Sequence, residues 1–272
     1  MKEQEVNMEN NELIDKITKE IMSRLNEKTK TQTSPDKESA KQSAPKAQMS
    51  AAELAGYIDH TLLKPEAVAS QFEQLCDEAV KYKFKSVCVN SGWVPFVTKK
   101  LRGSGIKICS VIGFPLGEMD SRSKAFEARS AIASGADEID MVINVGALKS
   151  GNLKLVEEDI RAIKRACRST TILKVIIETV LLTEKEKILA CEIAKKTEAD
   201  FVKTSTGFSG GGATVQDIVL MRRIVGPKMG VKASGGIRDY DQAIALINAG
   251  ANRLGCGSSV AVITGAVSQG NY

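Results

Sequence analysis

Six charged side chains sit inside short apolar runs rich in β-branched residues: Asp59, Asp140, Lys174, Glu178, Lys203 and Lys232. Such runs read as buried strands of a parallel sheet. Burial disfavours the ammonium form of a lysine there, and a free amine attacks carbonyl carbon to form a Schiff base. The lysine in Phe201-Val-Lys-Thr-Ser-Thr-Gly-Phe208 has that setting. Taken alone, Lys203 fits better a stem packed in a wall with its head in water. Each of the others, taken alone, fits a structural ion pair. As a set recurring in consecutive units they fit chemistry: a nucleophile, a second charge that favours its free amine, and a carboxylate to move protons.

A second group of residues suits an anion. Gly207 with Gly210–Gly212, then Gly235-Gly236, then Gly255-Cys-Gly-Ser-Ser259 follow three successive apolar runs, and Ser258 stands where a helix opens. Backbone N–H groups on such loops form a phosphate cradle. The same glycines also serve as plain turns. Their clustering in the last three units favours the cradle.

Composition narrows the classes. The 272 residues are 43% hydrophobic and 26% charged, the balance of a globular protein with an ample core. The net charge of +5 lies outside residues 1–48, which hold nine basic and nine acidic residues. That excess suits a small anionic substrate, and no basic run interleaves with aromatics as nucleic-acid binding would need. The six cysteines, Cys76, Cys88, Cys109, Cys167, Cys191 and Cys256, lack C-x-x-C spacing, and no secretory signal precedes them. They read as free thiols in a reducing, cytoplasmic compartment. With His60 the only histidine, neither a zinc site nor histidine-based nucleophilic catalysis is expected, and no metal or cofactor is called for. No stretch approaches the apolar length of a membrane span.

The elements that must position these residues follow a rhythm. Eight apolar runs, Tyr57–His60, Ser86–Asn90, Lys107–Ile112, Glu138–Asn144, Ile172–Glu178, Phe201–Thr204, Val231–Ser234 and Asn252–Cys256, read as strands. Helical periodicity fills Val68–Tyr82, Ser121–Ser134, Leu153–Arg168, Thr183–Lys196, Thr214–Val225 and Tyr240–Ala249. Repeated strand–helix units demand parallel pairing with right-handed crossovers, and eight close most simply as a (β/α)8 TIM barrel over residues 50–272. A doubly wound open sheet is the other solution, but no Gly-x-Gly-x-x-Gly follows the first strand. Chemistry in such barrels sits at the C-terminal ends of the strands, with phosphate sites after strands seven and eight.

Residues 1–28 and 29–49 differ in kind. Leu13, Ile14, Ile17, Ile21, Met22 and Leu25 recur at helical spacing over Glu12–Glu27, with Asn11 placed to cap. Thr29–Met49, rich in Lys, Ser, Thr, Gln, Ala and Pro, reads as a disordered linker. A short amphipathic helix on such a linker resembles the encapsulation peptides of bacterial microcompartment cargo, which implies a shell-protein partner for residues 11–28. An oligomer-stabilising or adventitious tail fits as well.

The ordered runs carry a family resemblance. Ile58-Asp-His-Thr-Leu-Leu63, Val87-Cys-Val-Asn90, Val111-Ile-Gly-Phe-Pro-Leu-Gly117, Glu138-Ile-Asp-Met-Val-Ile-Asn-Val-Gly146, Leu173-Lys-Val-Ile-Ile-Glu-Thr179, Val202-Lys-Thr-Ser-Thr-Gly-Phe208 and Val231-Lys-Ala-Ser-Gly-Gly-Ile-Arg238 together resemble the deoxyribose-phosphate aldolases. That resemblance spans about residues 50–265. It implies a metal-free class I aldolase, a homo-oligomer (dimer or tetramer), that cleaves 2-deoxy-D-ribose 5-phosphate to acetaldehyde and D-glyceraldehyde 3-phosphate. By motif, it implies that Lys203 is the Schiff-base lysine, Lys232 the second lysine and Asp140 the acid/base partner. Gly207, Gly235, Gly236 and Ser258 would hold the phosphate, with Asp59 and Lys174 in support and Tyr272 on a tail that reaches the site. Some relatives carry a lysine after Thr-Ser-Thr-Gly where Phe208 stands here, so backbone dipoles or another cation must meet the phosphate charge. Cys88 and Cys256 are expected near the mouth as packing residues. Two other classes stay open: a silent phosphate-binding scaffold, and a Schiff-base aldolase with a different donor pocket.

Overall fold

The computed structural model describes residues 49–266 together with Lys16, Lys19, Glu20 and Ser23. The chain divides into Met1–Ser50 and Ala51–Tyr272. In the first unit Lys16, Lys19, Glu20 and Ser23 are helical and exposed, in agreement with the helix expected over Glu12–Glu27. Its apolar stripe and the linker up to residue 48 lie outside the described residues, as does Tyr272.

The second unit opens with a short helix, α1 (Ala51–Ala55), and then alternates strand and helix. The strands are β1 (Ile58–Leu62), β2 (Ser86–Asn90), β3 (Lys107–Ile112), β4 (Glu138–Val142), β5 (Ile172–Ile176), β6 (Phe201–Lys203), β7 (Gly230–Ser234) and β8 (Arg253–Cys256). They pair in parallel in chain order, and β8 returns to β1 through Ile58↔Leu254 and His60↔Cys256. The result is a closed eight-stranded TIM barrel. Both faces of these strands are buried, which is why the sequence runs are continuously apolar rather than alternating.

The helices that follow form the outer ring: α2 (Ala69–Tyr82), α3 (Val94–Lys100), α4 (Ser121–Ala133), α5 (Val145–Lys149), α6 (Leu153–Ala166), α7 (Glu184–Lys196), α8 (Val215–Val225), α9 (Tyr240–Asn248) and α10 (Ser259–Thr264). Their starts are set by local hydrogen bonds. Asp120 caps α4, Thr183 and Glu186 form a capping box on α7, and Thr214 and Asp239 cap α8 and α9. Each such cap contributes about 1 kcal/mol. At the other end, Gly135 and Gly250 adopt positive φ where the chain leaves α4 and α9.

Four short helices, α1, α3, α5 and α10, lie below the length at which periodicity can be read. Two strands end sooner than the apolar runs suggest. Strand β4 stops at Val142 because the Asn144 side chain accepts from Ala147 N (2.7 Å) and starts α5. Strand β5 stops at Ile176 because Glu178 turns into the left-handed region at φ 57°. Loop geometry is tightest at Gly117 (φ 73°), where a Cβ would lie 1.9 Å from the Ile143 carbonyl oxygen. Only glycine allows the β3–α4 loop to press against the end of β4 there.

Candidate active site

Inside the barrel, alternate residues of neighbouring strands meet as a buried ionic network. Three carboxylates, Asp59, Glu138 and Asp140, face four cations, Lys174, Lys203, Lys232 and Arg253, all nearly inaccessible to water. On the lower side, Arg253 spans Asp59 and Glu138, with Nε donating to Asp59 Oδ1 at 2.9 Å and Nη2 to Glu138 Oε2 at 2.9 Å. Ser86 Oγ also donates to Asp59 Oδ1, at 2.7 Å. Lys174 Nζ joins this part to the next, 2.5 Å from Glu138 Oε2 and 2.8 Å from Asp140 Oδ1.

The centre of the network is one oxygen. Asp140 Oδ2 accepts from Lys203 Nζ at 2.8 Å and from Lys232 Nζ at 2.7 Å. The strand register brings the two lysines together, because Lys203, the last residue of β6, lies beside Lys232 of β7. Lys232 needs room to reach inward, and Gly255 supplies it: a Cβ there would lie 3.2 Å from Lys232 Cε and 2.9 Å from Ser234 Cβ. Gly255 therefore makes space for a lysine stem rather than forming part of an anion loop.

Electrostatics fix most of the protonation states. Burial by itself raises Asp140, but the ammonium groups of Lys174, Lys203 and Lys232 outweigh it and hold the carboxyl well below its usual range. Burial lowers Lys232, while Asp140 and Asp59 override that and raise it well above an ordinary lysine. Lys174 is raised in the same way, against its burial, by Asp140 and its neighbours. Asp59, raised by burial, is lowered overall by Lys232, Arg253 and Lys174. At neutral pH, then, an ionised carboxylate and a charged Lys232 flank Lys203.

Two thiols adjoin the carboxylate. Cys88 and Cys109 face each other across β2 and β3, and Cys109 Sγ donates to Asp140 Oδ1 at 3.1 Å. Burial pushes the Cys109 thiol up, which suits a donor. The thiols and Asp140 offer ligand atoms within 4.8 Å of one another, a spacing a soft cation could use; the Lys174, Lys203 and Lys232 ammonium groups already occupy the oxygens of Asp140. Cys88 packs with Leu63, Cys109 and Val111 under Phe114, and Cys256 is fully buried.

At the C-terminal ends of β1, β6, β7 and β8 lies a cavity of about 680 Å³. Its wall includes Thr61–Lys64, Gly207, Phe208, Gly210–Gly212, Gly236–Arg238, Gly257 and Ser258. Gly207, Gly236 and Ser258 thus stand where the sequence expected an anion cradle. Gly235 does not line the cavity; it is buried, and its carbonyl accepts from Ala213 N at 3.1 Å. A Cβ on Gly212 would fall 2.2 Å from that carbonyl oxygen, so Gly212 and Gly235 lock two loops together. Glu178 stands apart from the ionic network. Its carboxylate accepts from Thr206 N (3.2 Å), Thr206 Oγ1 and Ser209 Oγ (3.1 Å), so it braces the loop after β6. Phe208 turns edge-on to Phe114, with ring centroids 5.2 Å apart. The sequence did not single out Cys109, Lys64 or Arg238, because none stands at a place where pattern alone marks a charge or thiol as unusual.

A family model described as DeoC/LacD family aldolase matches residues 54–268. The chain belongs to the DeoC/LacD aldolase family. It is 60% identical over 216 residues to the deoxyribose-phosphate aldolase of Streptococcus gordonii, across 79% of this chain and 98% of that protein. It is 57% identical over 215 residues to that of Brevibacillus brevis, across 79% of this chain and 97% of the relative. Among solved structures, the deoxyribose phosphate aldolase of Aeropyrum pernix, described as a tetramer, superposes with a TM-score of 0.75 at 34% identity, over 79% of this chain and 91% of that one.

The geometry of this aldolase makes Lys232 separable from the fold. In Lys232→Leu, Arg253 and Lys174 still neutralise Asp59 and Asp140, so the barrel is expected to melt cooperatively while kcat/KM drops roughly 10²–10⁴-fold. Near-normal kcat/KM beside an intact melting transition would refute a part for Lys232 in turnover.

Proposed function

We propose that this aldolase reversibly cleaves 2-deoxy-D-ribose 5-phosphate to acetaldehyde and D-glyceraldehyde 3-phosphate through a Schiff base on Lys203. The observation that carries the proposal is the sharing of one Asp140 oxygen between Lys203 and Lys232. Lys203 Nζ, once free of its proton, adds to C1 of the open-chain sugar. Loss of water then leaves an iminium. Removal of the 3-hydroxyl proton lets the C2–C3 bond break, and its electron pair moves into the C1–C2 enamine. Glyceraldehyde 3-phosphate departs, the enamine is protonated at C2, and water releases acetaldehyde and the lysine.

Asp140 carries the protons, directly to and from Lys232 or through a water, from a position where its own ionisation is assured by surrounding cations. Lys232, positively charged at rest, stands on the same Asp140 oxygen as the Lys203 amine. Lys174 and Asp59 hold the geometry: Lys174 takes the other Asp140 oxygen, and Asp59 lies 2.5 Å from Lys232 Nζ. The backbones of Gly207 and Gly236, with Ser258, receive the phosphate. A silent scaffold has no use for two buried amines on one carboxylate.

Residues 50–272 form the aldolase domain, 29–49 a linker and 1–28 a helical extension. Like its tetrameric relative, the domain assembles with copies of itself, as a dimer or tetramer. The extension delivers the enzyme, otherwise cytoplasmic, to a microcompartment shell; the amphipathic pattern over Glu12–Glu27 supports this. No helix among the described residues is long and apolar enough to cross a membrane.

Borohydride reduction in acetaldehyde, followed by peptide mapping, is expected to leave an ethyl group on Lys203. An adduct elsewhere, or none, removes the proposed nucleophile. Deleting residues 1–48 should abolish co-sedimentation with shells and leave turnover intact; retention of the truncated enzyme in shells would defeat the targeting role.

A further inference from the structure

The cavity above the ionic network contains no carboxylate among its lining residues, and its cationic side chains are Lys64 and Arg238. The two differ in how they are held. Arg238 is exposed, on the loop that follows β7. Lys64 is half-buried, on the loop that follows β1. The backbone on either side of Lys64 is fixed. Leu63 before it is 3% exposed, packs against Cys88, Cys109 and Val111, and gives its carbonyl to Asn90 Nδ2 at 3.2 Å. Pro65 follows, and the Lys64 carbonyl closes a turn by accepting from Ala67 N at 3.1 Å. Among the described residues the Lys64 ammonium has no hydrogen bond or carboxylate partner.

The loop also has the right neighbour. Strands β1 and β8 are paired with His60 opposite Cys256, so the end of β1 and the Gly257–Ser258 turn leave the barrel side by side. A Cβ on Gly257 would come within 3.7 Å of the Thr61 carbonyl oxygen. A half-buried cation on that wall, its backbone held and its ammonium without a carboxylate, suits a ligand that brings its own negative charge.

We propose that Lys64 is the side-chain cation that receives the phosphate of the sugar substrate, and so sets the preference for phosphorylated over neutral sugars. The assignment rests on the aldolase reaction proposed above and adds a specificity-determining residue to it. Backbone N–H groups of the glycine loops orient the phosphate oxygens, and Lys64 answers their net charge. Its role is in binding: it takes no proton from the reacting carbons.

The test compares kcat/KM for 2-deoxyribose 5-phosphate with kcat/KM for 2-deoxyribose in the full-length protein. In Lys64→Met the ratio is expected to fall roughly tenfold or more, mainly through a higher KM for the phosphorylated sugar. Lys64→Arg should restore most of it. Inorganic phosphate, used as a competitive inhibitor, should weaken by a similar factor in Lys64→Met. Borohydride trapping of acetaldehyde on Lys203 reports whether the barrel and its amine are intact. A ratio unchanged in Lys64→Met, or one lost equally in Lys64→Arg, overturns the proposal. So does loss of trapping in both variants, which would make Lys64 a structural residue. If the wild-type protein itself fails to cleave 2-deoxyribose 5-phosphate, the reaction assignment falls first, and that outcome is visible before any variant is made.

Discussion

One buried carboxylate sets the terms for the rest of this molecule. Moving an ion of that size into a dry interior costs on the order of 20 kcal/mol in the idealised limit, and Asp140 is wholly buried. It remains ionised because three ammonium groups surround it, two of them on a single oxygen. The cations in turn depend on Asp59 and Glu138, which Arg253 ties together at the far side of the network. Removing a partner that no neighbour replaces would leave a buried charge uncompensated, a loss of about 3–5 kcal/mol where it has been measured in other proteins. The network is therefore a poor way to gain stability and a good way to hold protonation states fixed.

The barrel earns its place by bringing these groups together from distant parts of the chain. Parallel pairing puts Lys203 beside Lys232 and Asp140 beside Lys174, and strand closure brings Asp59 to Arg253. Above the network the loops serve a different end. Gly212 and Gly235 allow two loops to touch, while Glu178 accepts a left-handed backbone and spends its carboxylate on Thr206 and Ser209. The cavity wall that results is glycine-rich, rigidly braced and free of carboxylates. The ionic network and the cavity thus occupy adjoining layers, the first built from strand residues and the second mainly from loops.

Much of this was legible in the sequence because burial leaves a local trace. Charges inside apolar runs named Asp59, Asp140, Lys174, Lys203 and Lys232, and the strand–helix rhythm named the barrel. The strand edges blurred where side chains intervene: Asn144 ends β4 by capping α5, and Glu178 ends β5 by adopting a conformation ordinarily left to glycine. Pattern also could not separate glycines by purpose. Gly255 clears space for the Lys232 stem and Gly235 holds a neighbouring loop, although both sit in runs that look alike. Cys109, Lys64 and Arg238 were not singled out because what distinguishes them is their place in the folded barrel, not spacing along the chain.

The central proposal is that Asp140, through Lys232 or a water, moves the proton to and from the enamine carbon. Its most direct measurement is the exchange of the methyl hydrogens of acetaldehyde with deuterated water, followed by proton NMR in Asp140→Asn beside the wild type. The account predicts exchange slowed by roughly 10²–10⁴-fold, while borohydride still captures acetaldehyde on Lys203. Exchange at the wild-type rate in a variant that still forms the adduct would contradict it.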